Sequence, residues 1–235
     1  MDTRLWVIAI APGIALALGI YLIDRYDKEP VGLLIKVFSL GALSVIPTII
    51  VERFIMRFNI FSGLLSAFYI AFFVAGLVEE YFKRLVVLKT AYTHPSFNEK
   101  LDGIVYCTFS ALGFATIENI SYVVFRYSAN SYVGLYRGIL SVPAHMLFAI
   151  TMGYYLSLAK YCQEENEKCK EYMNKSLIVP IILHGTFNFI LMSRVNILMI
   201  LFIPYVIYLW SINLKRLNIY TKDSKDRFNR IQKER

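Results

Sequence analysis

Apolar residues fall into seven long runs, at residues 5–23, 31–51, 61–88, 101–125, 138–161, 177–192 and 196–212. Most come close to the roughly 20 residues that a helix needs to cross a bilayer. Helices satisfy every backbone polar group internally, as the hydrocarbon region demands. The pattern therefore predicts an all-α fold, a polytopic transmembrane helical bundle. It has seven spans, or eight if the long third run divides. That run exceeds the length of one span, so it tilts, kinks near Gly76 or begins at the interface. The first run carries Ala15-Leu16-Ala17, which resembles a signal-peptide cleavage site. Its length and weak upstream charge fit a retained span better.

The polar breaks are compact. Asp24-Arg25-Tyr26-Asp27-Lys28-Glu29-Pro30 closes the first run, His94-Pro95 and Lys100 follow the third, and Ser193-Arg194 separates the last two. Residues 1–213 read as the membrane-embedded domain and 214–235 as a basic tail. The tail holds Lys215, Arg216, Lys222, Lys225, Arg227, Arg230, Lys233 and Arg235, and Lys160, Lys168, Lys170 and Lys175 surround the break between the fifth and sixth runs. Lys and Arg favour the cytoplasmic side. With seven spans the N-terminus is outside and the C-terminus cytoplasmic; with eight, the N-terminus is inside. The tail reads as an orientation signal lying near anionic lipid.

Composition agrees. Of 235 residues, 57% are hydrophobic and 18% charged, below the quarter or so usual in soluble domains. The net charge of +8 gathers largely in the tail and does not indicate nucleic-acid binding. Cys107 lies in an apolar run and reads as a buried thiol. Cys162 and Cys169 have no nearby histidine, which argues against zinc there. Their place on the expected cytoplasmic side argues against a disulfide.

Against this background the charged and imidazole groups inside the runs stand out. Glu79, Glu80, Lys83 and Arg84 interrupt a stretch otherwise fit for lipid, where a carboxylate costs about 3 kcal/mol or more. Helical spacing sets Glu79 beside Lys83 and Glu80 beside Arg84. A plain reading makes these two ion pairs at a membrane edge. The later runs add Glu118-Asn119, His145, and His184 with Asn188 one turn on. At about 1.5 Å per residue, Glu118, His145 and His184 all lie roughly 10–12 Å below the outer surface. Each has a structural alternative. The histidines can be interhelical hydrogen-bonding glue, and Glu118 can neutralise Arg126.

Together the groups suit hydrolysis. A carboxylate can hold and deprotonate water, a histidine can share that water or bind metal, and His184 with Asn188 can donate to a developing oxyanion. Glu79, Glu118, His145 and His184 are donors of the kind zinc accepts. They come from four separate runs, so a metal-free glutamate–histidine site stands beside that reading. No His-Glu-x-x-His, Gly-Tyr-Gly-Asp or Gly-Ser-Asp arrangement is present. A non-enzymatic proton or ion transporter, or an immunity protein, is the competing class. The internal repeat expected of a transporter is not evident.

Glu79-Glu80-x-x-Lys83, Phe114-x-x-x-Glu118-Asn119, His145 and His184-Gly185-x-Phe187-Asn188 resemble the motifs of the PrsW intramembrane proteases. The 24–30 break resembles that family's N-terminal signature. The resemblance implies a multi-pass protein of the bacterial cell membrane that makes the first cut in a membrane-anchored anti-sigma factor. The broader clan includes CAAX-processing enzymes, whose Glu-Glu-x-x-x-Arg and His-x-x-x-Asn motifs are also met here. By that similarity Glu79 would activate water, Arg84 would hold Glu80, and His184 and Asn188 would line the oxyanion site. Lys83 and Asn119 would be structural support. Glu118 stands where the CAAX branch has histidine, which favours the PrsW branch and leaves a CAAX-type processing protease as the alternative.

Overall fold

In a computed structural model the described residues, 3–162 and 167–234, contain seven helices long and apolar enough to span a membrane. They are α1 Thr3–Ile23, α2 Val31–Met56, α3 Gly63–Thr90, α4 Lys100–Arg126, α5 Tyr132–Lys160, α6 Glu167–Ser193 and α7 Asn196–Lys233. The third run stays one helix, which decides for seven spans. Helix α4 is the axis of the bundle, and every residue from Leu101 to Thr116 is buried. Helices α1, α2 and α5 pack around it, and α6 packs on α5 and on α3. Close approach at the centre depends on small residues. A Cβ on Gly103 or Gly153 would run into the facing backbone of α5 or α4.

Three of the spans contain π-helical turns, at Ile70–Gly76 in α3, Ser121–Arg126 in α4 and Arg137–Ser141 in α5. Such wide turns often occur inside α-helices at functional sites. Here each lies within a few residues of Glu79, Glu118 or His145. Helix α3 carries its irregularity in the turn that ends at Gly76, the position where the sequence suggests a kink.

The other end of the bundle is tied together by its connectors. Tyr161 donates to the Phe97 carbonyl at 3.2 Å and Lys160 to the Tyr92 carbonyl at 2.5 Å. Arg227 donates to the Asn98 carbonyl at 2.8 Å, and Phe228 packs against Tyr26. The 24–30 and 91–99 connectors, the end of α5 and the tail thus share one end, as seven spans require. Helix α7 runs unbroken across 213/214, with Asn213, Leu217, Tyr220 and Ser224 forming one buried stripe. Arg235 lies outside the described residues.

The 24–30 connector is built on buried carboxylates. Asp24 accepts from the Glu29 amide at 3.0 Å, and Tyr106 donates to Glu29. Burial pushes the Asp24 carboxyl up to about 6. Burial and the neighbouring Asp102 push Glu29 well above the ordinary carboxylate range.

Cys107 is a buried free thiol, as expected. The reading of Cys162 and Cys169 needs correction, because the two form a disulfide. The ends of α5 and α6 bring their Cα atoms to 5.8 Å, inside the usual range for a bridge. Sequence reasoning from compartment could not anticipate that approach.

Candidate active site

Just beyond its π turn, α3 directs Glu79, Glu80 and Lys83 into the bundle, and all three are buried. Gly76 permits the approach of α6, since a Cβ there would press on the Ile181 carbonyl and the Gly185 amide. The Lys83 ammonium donates to Glu79 Oε2 at 3.0 Å and to Glu80 Oε1 at 2.9 Å. It also lies 3.0 Å from His145 Nδ1 and 4.3 Å from the centre of the Phe114 ring. His145 Nε2 lies 3.0 Å from Glu118 Oε2, and His184 Nδ1 lies 2.9 Å from Glu80 Oε1. The two imidazoles meet edge to face with centroids 5.1 Å apart, and His184 stacks on Phe148.

These contacts fix the tautomers. An ammonium can only donate, so His145 accepts at Nδ1 and carries its proton on Nε2, facing Glu118. The Glu80 carboxylate accepts from His184 Nδ1, and among the described residues no hydrogen bond reaches His184 Nε2. Each imidazole is therefore backed by its own carboxylate, the arrangement that orients histidines at metal sites. One donor atom each from Glu79, His145 and His184 lie within 4.8 Å of one another. Two imidazoles and a carboxylate form a set that zinc accepts, and the residues fit a metal. Lys83 shares Glu79 and His145 with that position. Glu118 is not in the group, because its carboxylate backs His145 and pairs with Arg137 at 2.9 Å. Arg137 also donates to Asn119 at 3.1 Å, and Asn119 donates to the Ala9 carbonyl at 2.9 Å. Asn119 thereby joins α4 to α1.

Two expected pairings are not formed. Arg84 does not hold Glu80; it donates to Ser176 Oγ at 2.9 Å and to the Met173 carbonyl at 3.0 Å, tying α3 to α6. Lys83 faces inward and reaches both acids, so Arg84 is turned toward α6. Nor does Glu118 neutralise Arg126, whose guanidinium lies over the Tyr122 and Tyr127 rings; Arg137 occupies that role.

The cluster opens into a cavity of about 490 Å3 lined by Glu79, Glu118, His145, His184 and Asn188. Apolar walls come from Val45, Ile49, Val74, Phe114, Phe148 and Phe187. The charged residues Glu52 and Arg137 also line the cavity, and the sequence reading singles out neither. For Glu52 a signal was available, since Val45, Thr48, Ile49 and Glu52 fall at the spacing of one helical stripe.

A seven-span bundle that encloses carboxylate-backed imidazoles beside a free glutamate oxygen, in a cavity inside the membrane region, has the architecture of a membrane-embedded hydrolase. The chain matches the model of the PrsW family intramembrane metalloproteases over residues 29–211. It is 45% identical over 233 residues to Protease PrsW of Clostridioides difficile (strain 630), covering 97% of this chain and 96% of the relative. Identity to Protease PrsW of Oceanobacillus iheyensis is 40% over 209 residues, with 88% and 92% of the two chains covered. Protease PrsW of Bacillus subtilis (strain 168) is 35% identical over 207 residues, covering 88% and 91%. No solved structure gives a significant match. The chain belongs to the PrsW family of intramembrane proteases, and it is a multi-pass membrane peptidase.

Proposed function

We propose that this protease makes the first cut in a membrane-anchored regulatory protein of the anti-sigma-factor type, with Glu79, His145 and His184 as its hydrolytic centre. The observation that supports this most is the convergence of these groups in one apolar-walled cavity, each imidazole backed by a carboxylate. Glu79 orients the attacking water, takes its proton and carries it to the departing nitrogen. Asn188, one turn beyond His184 and lining the same cavity, donates to the oxyanion as it develops. Glu80 and Glu118 hold the imidazoles in orientation, and the aromatic walls exclude bulk water. A divalent metal held by Glu79, His145 and His184, zinc by donor type, would acidify the water and polarise the scissile carbonyl, and Glu79 would then serve as a ligand in place of the base.

Glu118 and His184 lie nearer the ends of α4 and α6 that are away from the basic tail. With Lys and Arg setting the cytoplasmic side, the N-terminus is outside, the C-terminus cytoplasmic, and the cut falls toward the outer face. The experiment is reconstitution of purified protein with a single-span anti-sigma factor, followed by mass analysis of the fragments before and after chelation. A cut on the outer flank of the substrate's span, lost on chelation and restored by zinc, is expected. A cut on the cytoplasmic flank, or undiminished cleavage by metal-free protein, contradicts the orientation or the metal respectively.

A further inference from the structure

Every carboxylate of the cluster is committed except one. Glu79 and Glu80 accept from Lys83, Glu80 also backs His184, and Glu118 is taken by Arg137 and His145. Glu52 lines the same cavity from α2, and among the described residues no hydrogen bond or ion pair reaches its carboxylate. Glu79 and Glu118 act on it with like sign and Lys83 with opposite sign, and the cations Arg53 and Arg137 line the same cavity. A carboxylate facing an apolar-walled cavity without a partner is expensive. A group retained at that expense, and facing a cavity, is placed to meet a ligand.

Its position says which part of the ligand. Glu52 stands one turn from the end of α2 at Met56, across from Leu191 and Met192 near the end of α6. It therefore guards the cavity at the end away from the basic tail, while Glu79 and the imidazoles lie deeper. We propose that Glu52 is a specificity residue that binds a basic side chain of the substrate beside the segment to be cut. A cation there meets the one uncommitted carboxylate, whereas an acidic side chain meets a like charge. The adjacent Arg53 lines the rim without pairing to Glu52.

This rests on the protease reading, and binding and cleavage are measured separately to keep the two apart. Fluorescent single-span peptides, identical except for Lys, Met or Glu at the outer flank of the span, are titrated into vesicles holding wild type, Glu52→Gln or Glu52→Lys. Wild type is expected to bind the Lys peptide more tightly than the Met peptide, on the order of tenfold, the size of one charge-assisted contact. The Glu peptide should bind weakest. Glu52→Gln should flatten the series, and Glu52→Lys should turn it against the Lys peptide. A wild type with no preference, or a preference that persists in Glu52→Gln, overturns the proposal. The Gln variant, nearly isosteric, tests it even if the Lys variant fails to fold. Preference without cleavage of any peptide counts against the protease reading and leaves Glu52 as assigned; cleavage without preference does the reverse.

Discussion

Glu80 offers a sharp test of how the site is held. Its Oε1 accepts from Lys83 and from His184, each at 2.9 Å, and its side chain is buried. Glu80→Ala removes both contacts. Breaking a buried ion pair from one side costs about 3–5 kcal/mol. Lys83 keeps Glu79 at 3.0 Å, which puts the loss near the lower end. The stranded His184 N–H adds about 1–3 kcal/mol. Glu80→Gln keeps an oxygen for His184 and gives up only the charge opposite Lys83, about 1.5–3 kcal/mol. At about 2–4 °C per kcal/mol for a chain of this size, Gln should melt several degrees low and Ala more than twice as far. Loss of the carboxylate behind His184 should lower the cleavage rate about 10–100-fold in both. Melting in detergent, followed by the fluorescence of Trp6 and Trp210, and initial cleavage rates supply the two readouts. If Glu80→Gln melts and cleaves like wild type, Glu80 does not hold His184.

Other outcomes follow from the same structure. Arg84→Ala should cut the rate on the order of 100-fold by letting α6 and His184 shift, and Arg84→Lys should not rescue it because Lys lacks the fork that reaches both Ser176 and Met173; full activity in Arg84→Ala contradicts the tie. Reporters fused to the C-terminus and inserted between Cys162 and Glu167 should both read cytoplasm; a cell-surface signal from either reverses the proposed orientation, the outcome that the Cys162–Cys169 bridge favours because cytoplasmic thiols are kept reduced. Asp24 and Glu29 hold their protons more tightly folded than unfolded. The stability they contribute is therefore complete below the ordinary carboxylate range and is lost as pH rises, through about 6 for Asp24 and higher for Glu29. Melting temperature should fall on going from pH 5 to pH 9, and Glu29→Gln, facing Asp102, Tyr106 and Asp24, should flatten that fall; a flat wild-type profile contradicts it.

The spans were legible because bilayer thickness sets helix length, and the apolar runs of the sequence match the helices to within a few residues at most ends. The starts of α5 and α6, at Tyr132 and Glu167, fall well before their runs, and the largest departure is the end of helix α7. Hydropathy stops counting it at 212, but the stripe from Asn213 to Ser224 packs on the bundle and carries the helix onward. The cluster residues could be named because ionisable groups are rare at such depth and each is conspicuous. Their partners were not legible. Spacing by four placed Arg84 beside Glu80, yet the direction in which a helix faces is set by its neighbours, and α6 drew Arg84 away. Arg137 and Glu52 sit near span ends, where a charge has an innocent explanation as an interfacial anchor, and only packing shows that both turn into the cavity.

The central claim is that Glu79 does chemistry at the point where α3, α5 and α6 meet, and one comparison tests it most directly. Wild type and Glu79→Gln are purified, shown to insert and melt alike within a few degrees, and assayed on the same membrane-anchored substrate. Gln keeps an oxygen for Lys83 but cannot take a proton from water. Cleavage should fall to background in the variant while substrate binding persists. A Glu79→Gln protein that cleaves at the wild-type rate would place the chemistry elsewhere.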